Sequence, residues 1–244
     1  MLLSDSEFIS YISKSFNENG LGQYLTHGTV QKFLTLTKFM LEENEKFNLT
    51  AIKDEKKIII NHYVDCVMLA KHLKKGSVID VGCGAGFPSL PMAIVNPDLK
   101  ILAIDSTAKR INYVNECIAL LGLENVRAIA MRAEDGARMP EYRESFDFAT
   151  ARAVAEMRIL CELCLPYVRT GGKMVAMKGK NAEFELRAAK KAVSMLGGKD
   201  AAIKEVKIIG DGEDFSHPLI EISKTAKTPA VYPRPYAKIS KNPL

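Results

Sequence analysis

The sequence predicts an α/β fold: a mostly parallel open sheet with an antiparallel terminal strand, preceded by an α-helical N-terminal extension. Three observations predict it. From Val78 onward short apolar runs alternate with amphipathic segments, the pattern of βαβ units. A glycine-rich turn, Gly82-Cys83-Gly84-Ala85-Gly86, separates the first apolar run from the first amphipathic segment. The first 75 residues carry helical periodicity and no strand pattern.

In chain order, Ser4 to Phe16 is amphipathic, Val30 to Phe47 places Phe33, Leu34, Phe39, Met40 and Leu41 at helical spacing, and Ile58 to Leu73 is a third helix. Between the last two, Phe47-Asn48-Leu49-Thr50-Ala51-Ile52 reads as a loop, and Lys53, Lys56 and Lys57 as a solvated face. The run ending in Asp80 and Val81 is the first strand. Pro88 marks the first position of the next helix, where a missing N–H has no partner to lose. Lys100 to Asp105 reads as a strand, Thr107 to Leu121 as a helix, and Val126 to Arg132 and Phe146 to Arg152 as strands. Glu156 to Val168 is a helix, Lys173 to Lys178 a strand after Gly171-Gly172, and Asn181 to Leu196 a helix ended by Gly197-Gly198. Ala202 to Ile209 and Pro218 to Ser223 form a final hairpin around Gly210-Asp211-Gly212-Glu213. The organisation expected is a helical extension over 1–75, a ligand-binding sheet domain over 76–225 and a basic tail over 226–244.

At 244 residues and 47% apolar content the chain can bury a sizeable core. No apolar run reaches the roughly 18 residues of a membrane helix, and MLLSDSEFIS lacks a cationic-then-apolar leader. A cytoplasmic protein is expected. Its five cysteines fit reduced thiols. Cys161 and Cys164 form a lone C-x-x-C inside a helical run, without the further ligands that structural zinc requires, so no metal is expected. The net charge of +5 collects at the end of the chain: Glu221 is the last acid, and Lys224, Lys227, Arg234, Lys238 and Lys241 follow it among prolines, with Tyr232 and Tyr236. Such a tail is either a solvated terminus or a surface for phosphates and bases.

The glycine turn nominates a ligand. In a dinucleotide fingerprint the sixth position from the first glycine is glycine or alanine; counted from Gly82 it is Phe87, which disfavours NAD or FAD. Asp105, at the tip of the second strand, stands near the spacing of about 20 residues at which an acid meets ribose hydroxyls. A ligand with a ribose and no pyrophosphate satisfies both, and S-adenosylmethionine is such a ligand. The competing reading is a turn that only turns. Ligands of open α/β sheets sit beyond the carboxyl ends of the strands, which adds Arg132-Ala133-Glu134 and Thr150-Ala151-Arg152. Glu134 and the backbone of Ala133 are placed for an adenine edge, or are a plain loop. Arg152 is a cation for the cleft, or an ion-pair partner of Glu156. Lys178 is a candidate phosphate contact.

These residues carry a resemblance. VIDVGCGAGFPSLPMAI, Asp105-Ser106 with Lys109-Arg110, Arg132-Ala133-Glu134, Ala151-Arg152-Ala153, Met177-Lys178-Gly179, Asn48-Leu49-Thr50-Ala51 and Tyr232-Pro233-Arg234 together resemble the bacterial ribosomal RNA small subunit methyltransferase G family, also called glucose-inhibited division protein B. The resemblance implies a Rossmann-like class I S-adenosylmethionine-dependent methyltransferase that methylates N7 of a guanine, position 527 of 16S ribosomal RNA. Its substrate would be that RNA or the small ribosomal subunit. Carried over, the cofactor contacts fall on Gly82, Phe87, Ala133, Glu134 and Arg152, joined by Gly84 and Gly86 of the turn and by Asp105, with Arg152 as a positioning residue and Lys178, Arg234, Lys238 and Lys241 as RNA contacts. Asn61 departs from the arginine usual before the His-x-x-Asp that is here His62 and Asp65, and His62 receives no chemical role. Guanine N7 carries an unshared pair and no proton, so the reaction needs no general base, in keeping with a sequence that shows no Ser-His-Asp set. Two readings remain beside it: a nucleotide-dependent oxidoreductase and a non-catalytic RNA-binding module.

Overall fold

The computed structural model describes residues 3–46, 48–210, 212 and 214–244; Phe47 of the expected helix and loop, and Asp211 and Glu213 of the expected hairpin turn, lie outside them. The chain opens with α1 (Asp5–Glu18) and α2 (His27–Lys46). Next comes one continuous helical rod made of α3 (Glu55–Ile58), a π-helical stretch Ile59–Val64 and α4 (Asp65–His72). β1 (Gly76–Val81), α5 (Ser89–Val95), β2 (Leu99–Asp105), α6 (Ala108–Leu121), β3 (Val126–Ala130), the single turn α7 (Ala133–Gly136) and β4 (Phe146–Arg152) follow. Then come α8 (Met157–Cys164), β5 (Val168–Met177), α9 (Ala182–Ala188), α10 (Lys190–Met195) and β6 (Gly198–Lys204). A two-stranded ribbon of β7 (Lys207–Ile208) and β8 (Phe215–Ser216) leads to β9 (Leu219–Lys224) and α11 (Tyr236–Lys241).

The seven-stranded sheet runs β3-β2-β1-β4-β5-β9-β6. β1 to β5 are parallel, and β9 is antiparallel to both its neighbours. The reversed strand is therefore last in the sequence but slotted between β5 and β6; the expected final hairpin forms, with β6 and β9 as its paired arms and the β7–β8 ribbon at its end. Because side chains alternate across a strand, each strand feeds two cores. Val78, Ile101, Ala103 and Val175 meet Phe8, Phe33, Tyr63 and Leu69 of the N-terminal helices. Ile79, Val81, Leu102, Ile104 and Ala151 meet Leu160 and Cys164 of α8, Val193 of α10 and Ile239 of α11. The N-terminal helices thus share one continuous core with a sheet face.

Several expected boundaries move for identifiable reasons. Pro88 sits at the cap of α5, one residue before its first turn. β3 stops at Ala130, since Arg132 already caps α7. The helix expected to run to Val168 ends at Cys164, and one 3-10 turn, Leu165–Tyr167, carries Pro166 into β5. β5 then begins before Gly171-Gly172 and bulges through them. Gly171 adopts φ +87°, and a Cβ on Gly172 would lie 2.5 Å from the carbonyl oxygen of Asp147 on β4. The expected helix from Asn181 breaks at Ala189 into α9 and α10. β6 starts at Gly198, immediately after the left-handed Gly197.

The tail is a tie rather than a free basic terminus. Arg143 donates to the carbonyls of Thr228 at 2.8 Å and Tyr232 at 2.9 Å, and Arg138 donates to that of Pro233. Lys224 is fully buried, bonded to the carbonyl of Leu165 at 2.8 Å and paired with Glu144 at 3.2 Å, and burial pulls its pKa down to about 8. Arg234 grips Glu162, whose side chain is 0% exposed, through Nε at 2.9 Å and Nη2 at 2.7 Å. The expectation that Arg234 meets RNA is corrected: a fork-on-carboxylate pair of this kind commits the guanidinium. Lys238 and Lys241 stay exposed on α11. Among the described residues no helix is long and apolar enough to cross a membrane.

Candidate active site

β1 delivers the glycine turn at its carboxyl end. Gly82, Gly84 and Gly86 adopt φ of +74°, +55° and +85°, the left-handed region open to glycine at no steric cost. Their surroundings differ. A Cβ on Gly86 would stand 2.5 Å from Leu90 Cδ1, so that glycine serves close packing of the turn on α5. A Cβ on Gly82 would meet Val154 Cγ2 at 2.7 Å, whereas one on Gly84 would meet nothing within 4 Å. The open space beside Gly84 is where a ligand can approach the backbone.

β2 delivers Asp105. Its Oδ2 accepts from the Gly84 N–H at 3.1 Å and its Oδ1 from the Thr107 N–H at 2.8 Å, with Arg110 at 3.5 Å. A carboxylate has about four acceptor directions, so it can receive ribose hydroxyls as well. β3 delivers Ala133 and Glu134 in α7; Glu134 is buried, 4.0 Å from Arg132, and the Tyr167 hydroxyl fixes this turn by donating to the Ala133 carbonyl at 2.7 Å. Gly82, Asp105, Ala133 and Glu134 line a single cavity of about 340 Å³, completed by Ala153, Leu163 and Tyr236. Ala153 is held at φ +56°, backbone strain of the kind that collects at functional sites. Leu163 and Tyr236 carry no sequence signal: the first reads as helix core, the second as part of a basic tail. A larger groove, about 920 Å³, lies around the amino ends of β1 to β3 and holds none of the expected site residues.

Arg152 and Phe87 face the other way. Alternation along β4 sends Ala151 toward α8 and Arg152 toward the helical rod. There Arg152 donates to the Asn61 carbonyl at 3.0 Å, His62 Nδ1 at 3.1 Å and Asp65 Oδ2 at 3.4 Å, and lies 5.3 Å over the Phe87 ring. Of the two readings of Arg152, the ion pair forms, but with Asp65 rather than Glu156, which pairs with Arg158 at 2.8 Å. The carbonyl of Asn61 lies within the π-helical stretch, a distortion that frees backbone groups and recurs at functional sites. Asp65, 1% exposed, also accepts from His217 at 2.9 Å, which raises the pKa of that imidazole. Lys178, expected at RNA, is only 10% exposed, paired with Glu185 at 2.7 Å and bonded to the Ala155 carbonyl at 2.8 Å. It closes the β5–α9 junction instead.

Behind the turn, Asp80 is fully buried and takes the Ser89 hydroxyl at 2.5 Å on Oδ2, while Oδ1 has no hydrogen-bond partner among the described residues. Burial lifts its pKa to about 7. The Cys161 and Cys164 thiols are buried and free on α8, and burial raises the pKa of both.

A sequence model of the family described as rRNA small subunit methyltransferase G matches residues 29–210. The chain belongs to that family. Ribosomal RNA small subunit methyltransferase G of Clostridium perfringens is 45% identical over 229 residues, 93% of this chain and 95% of its own length. The protein of the same name from Clostridium beijerinckii is 42% identical over 241 residues, 98% and 99% of the two chains. The fold recurs in the SAM-dependent O-methyltransferase of Thermotoga maritima (TM-score 0.51, 16% identity, covering 77% of this chain and 72% of that one). It also recurs in the tRNA (m1A58) methyltransferase TrmI of Aquifex aeolicus (0.52, 13%, 67% and 69%). With membership in the methyltransferase G family, the oxidoreductase and the non-catalytic RNA-binding module fall away.

Proposed function

We propose that this chain transfers the methyl group of S-adenosylmethionine to N7 of guanine 527 in 16S ribosomal RNA, on the naked RNA or the small ribosomal subunit, in the cytoplasm. The observation that carries the reading is that Gly82 at the start of the glycine turn, Asp105, Ala133 and Glu134 converge on one cavity at the carboxyl ends of β1, β2 and β3 in a member of the methyltransferase G family. The residues suit the donor: Gly84 leaves open space, Asp105 has acceptor capacity for ribose hydroxyls, and the unpartnered Oδ1 of Asp80 offers an acceptor for an ammonium group.

When bound, the donor supplies an electrophilic methyl on a positively charged sulfur. The protein contributes position. Asp105 and Glu134 fix the adenosyl end, and the turn at Gly82 and Gly84 lets the rest lie against backbone. Arg152 acts one step back, holding the Phe87 end of the turn against the helical rod through Asn61, His62 and Asp65. No side chain has to remove a proton, because the attacking nitrogen bears none; alignment and removal of entropy provide the acceleration. Lys238 and Lys241, exposed on α11 with Tyr236, are tail cations still open to phosphate, as is Lys227.

Naked 16S RNA and small subunits lacking the modification, each incubated with the protein and methyl-labelled donor, should between them show label at that guanine alone. Label at another nucleotide, or none on either substrate, would refute the reading.

A further inference from the structure

The tail, read from the sequence as either a solvated terminus or a surface for phosphates and bases, supplies a wall of the cavity. Tyr236, the first residue of α11, lines the same cavity as Asp105 and Glu134, yet the residue stays 42% exposed. Its placement is enforced. Arg234 is locked on the buried carboxylate of Glu162, and the residue after Glu162 is Leu163, which lines the cavity from α8. Two residues beyond Arg234 the chain turns into α11, whose Ile239 is buried in the core with Leu160. The ring is therefore held between two anchors and left half in solvent. A half-exposed aromatic ring beside a polar cavity is an unfilled stacking surface, and a purine supplies the flat apolar face it lacks.

We propose that Tyr236 stacks on the adenine of the methyl donor, so that the C-terminal tail is part of the cofactor site. The inference rests on assigning this cavity to the donor. The contact is made by the face of the ring, with the hydroxyl dispensable.

The test is calorimetric titration with S-adenosylhomocysteine and with adenosine. Tyr236→Ala should weaken both by roughly tenfold, the scale of one stacked base. Tyr236→Phe should bind within about twofold of wild type, as expected of a contact independent of the hydroxyl. The ligand-free melting temperature should move little, since the ring is exposed and both anchors remain. The chain contains no tryptophan, so Tyr236→Trp installs a single indole whose emission should be quenched on adding either ligand. Unchanged affinity in Tyr236→Ala, or an indole blind to both ligands, overturns the proposal. Asp105→Ala shows which statement failed. If it abolishes binding while Tyr236→Ala does not, the tail is no part of the site; if neither variant matters, the cavity itself is misassigned and the inference falls with it.

Discussion

The imidazole of His62 lies face to face with the ring of Phe87, 4.5 Å between centroids and 21° between planes. Its Nδ1 meets Arg152, and a guanidinium only donates, so Nδ1 accepts and Nε2 carries the proton toward Thr50 Oγ1 at 3.2 Å. One neutral ring thus joins the glycine turn, the end of β4 and the Thr50 loop. The His-x-x-Asp pair given no chemical role from the sequence is the joint between the helical rod and the candidate site.

His62→Ala removes that ring and leaves an arginine N–H without its acceptor. The cost should be about 2–4 kcal/mol in urea unfolding. A loss below about 1 kcal/mol would mean that the stack is incidental.

Two buried groups should pull the pH dependence of stability in opposite directions. Burial and then Arg152 depress His62 to about 3. Its unfolded form binds a proton below about 6.5 while the folded form stays neutral, so its contribution is lost as pH falls from 6.5 toward 3. Asp80, raised to about 7 by burial, keeps its proton in the fold when the unfolded chain has released it, so its contribution grows as pH falls from 7 toward 4. In His62→Gln, stability of the ligand-free protein should rise on acidification from pH 6.5 to 4.5; in Asp80→Asn it should fall, each by at most about 1.4 kcal/mol per pH unit. Urea midpoints across that range check both. Parallel curves for wild type and the two variants would contradict the assignment.

Glycines of the same turn should respond differently. Gly84→Val places its side chain in open space, at a backbone cost of about 1–2 kcal/mol for a left-handed β-branched residue, and should abolish donor binding in a folded protein. Gly86→Ala meets Leu90 and should lower stability before it alters affinity. Calorimetry and thermal melts on the two variants separate these effects, and retained donor binding in Gly84→Val would refute the site.

Arg234→Ala strands the buried Glu162 carboxylate. It should cost about 3–5 kcal/mol, and deletion of residues 225–244 should cost more, because it also withdraws Ile239 and the carbonyls held by Arg143. A tail-deleted protein with wild-type stability would contradict the tie.

Local chemistry made much of this legible. The glycine turn, the acid at the tip of β2 and the alternation of elements are each set by residues near one another in sequence, and all were readable. Partner choice for long cations was not. Lys178 and Arg234 read as open charges and Arg152 as a cleft cation or a partner of Glu156, because their actual partners Glu185, Glu162 and Asp65 lie on other elements, and only packing brings them together. The bulge at Gly171-Gly172 was missed for the same reason: it answers to the approach of the Asp147 backbone, which no local pattern reports.

The placement of β9 between β5 and β6 bears on how the molecule is made. Synthesis runs from the amino end, so β6 exists before the strand it must pair with, and β5 waits with one edge unpaired until Leu219–Lys224 emerges. An edge left open in this way is a template for other chains. A ribosome stalled before those last residues would release a protein with most of its core in place and an adhesive sheet border, fit for aggregation rather than for work.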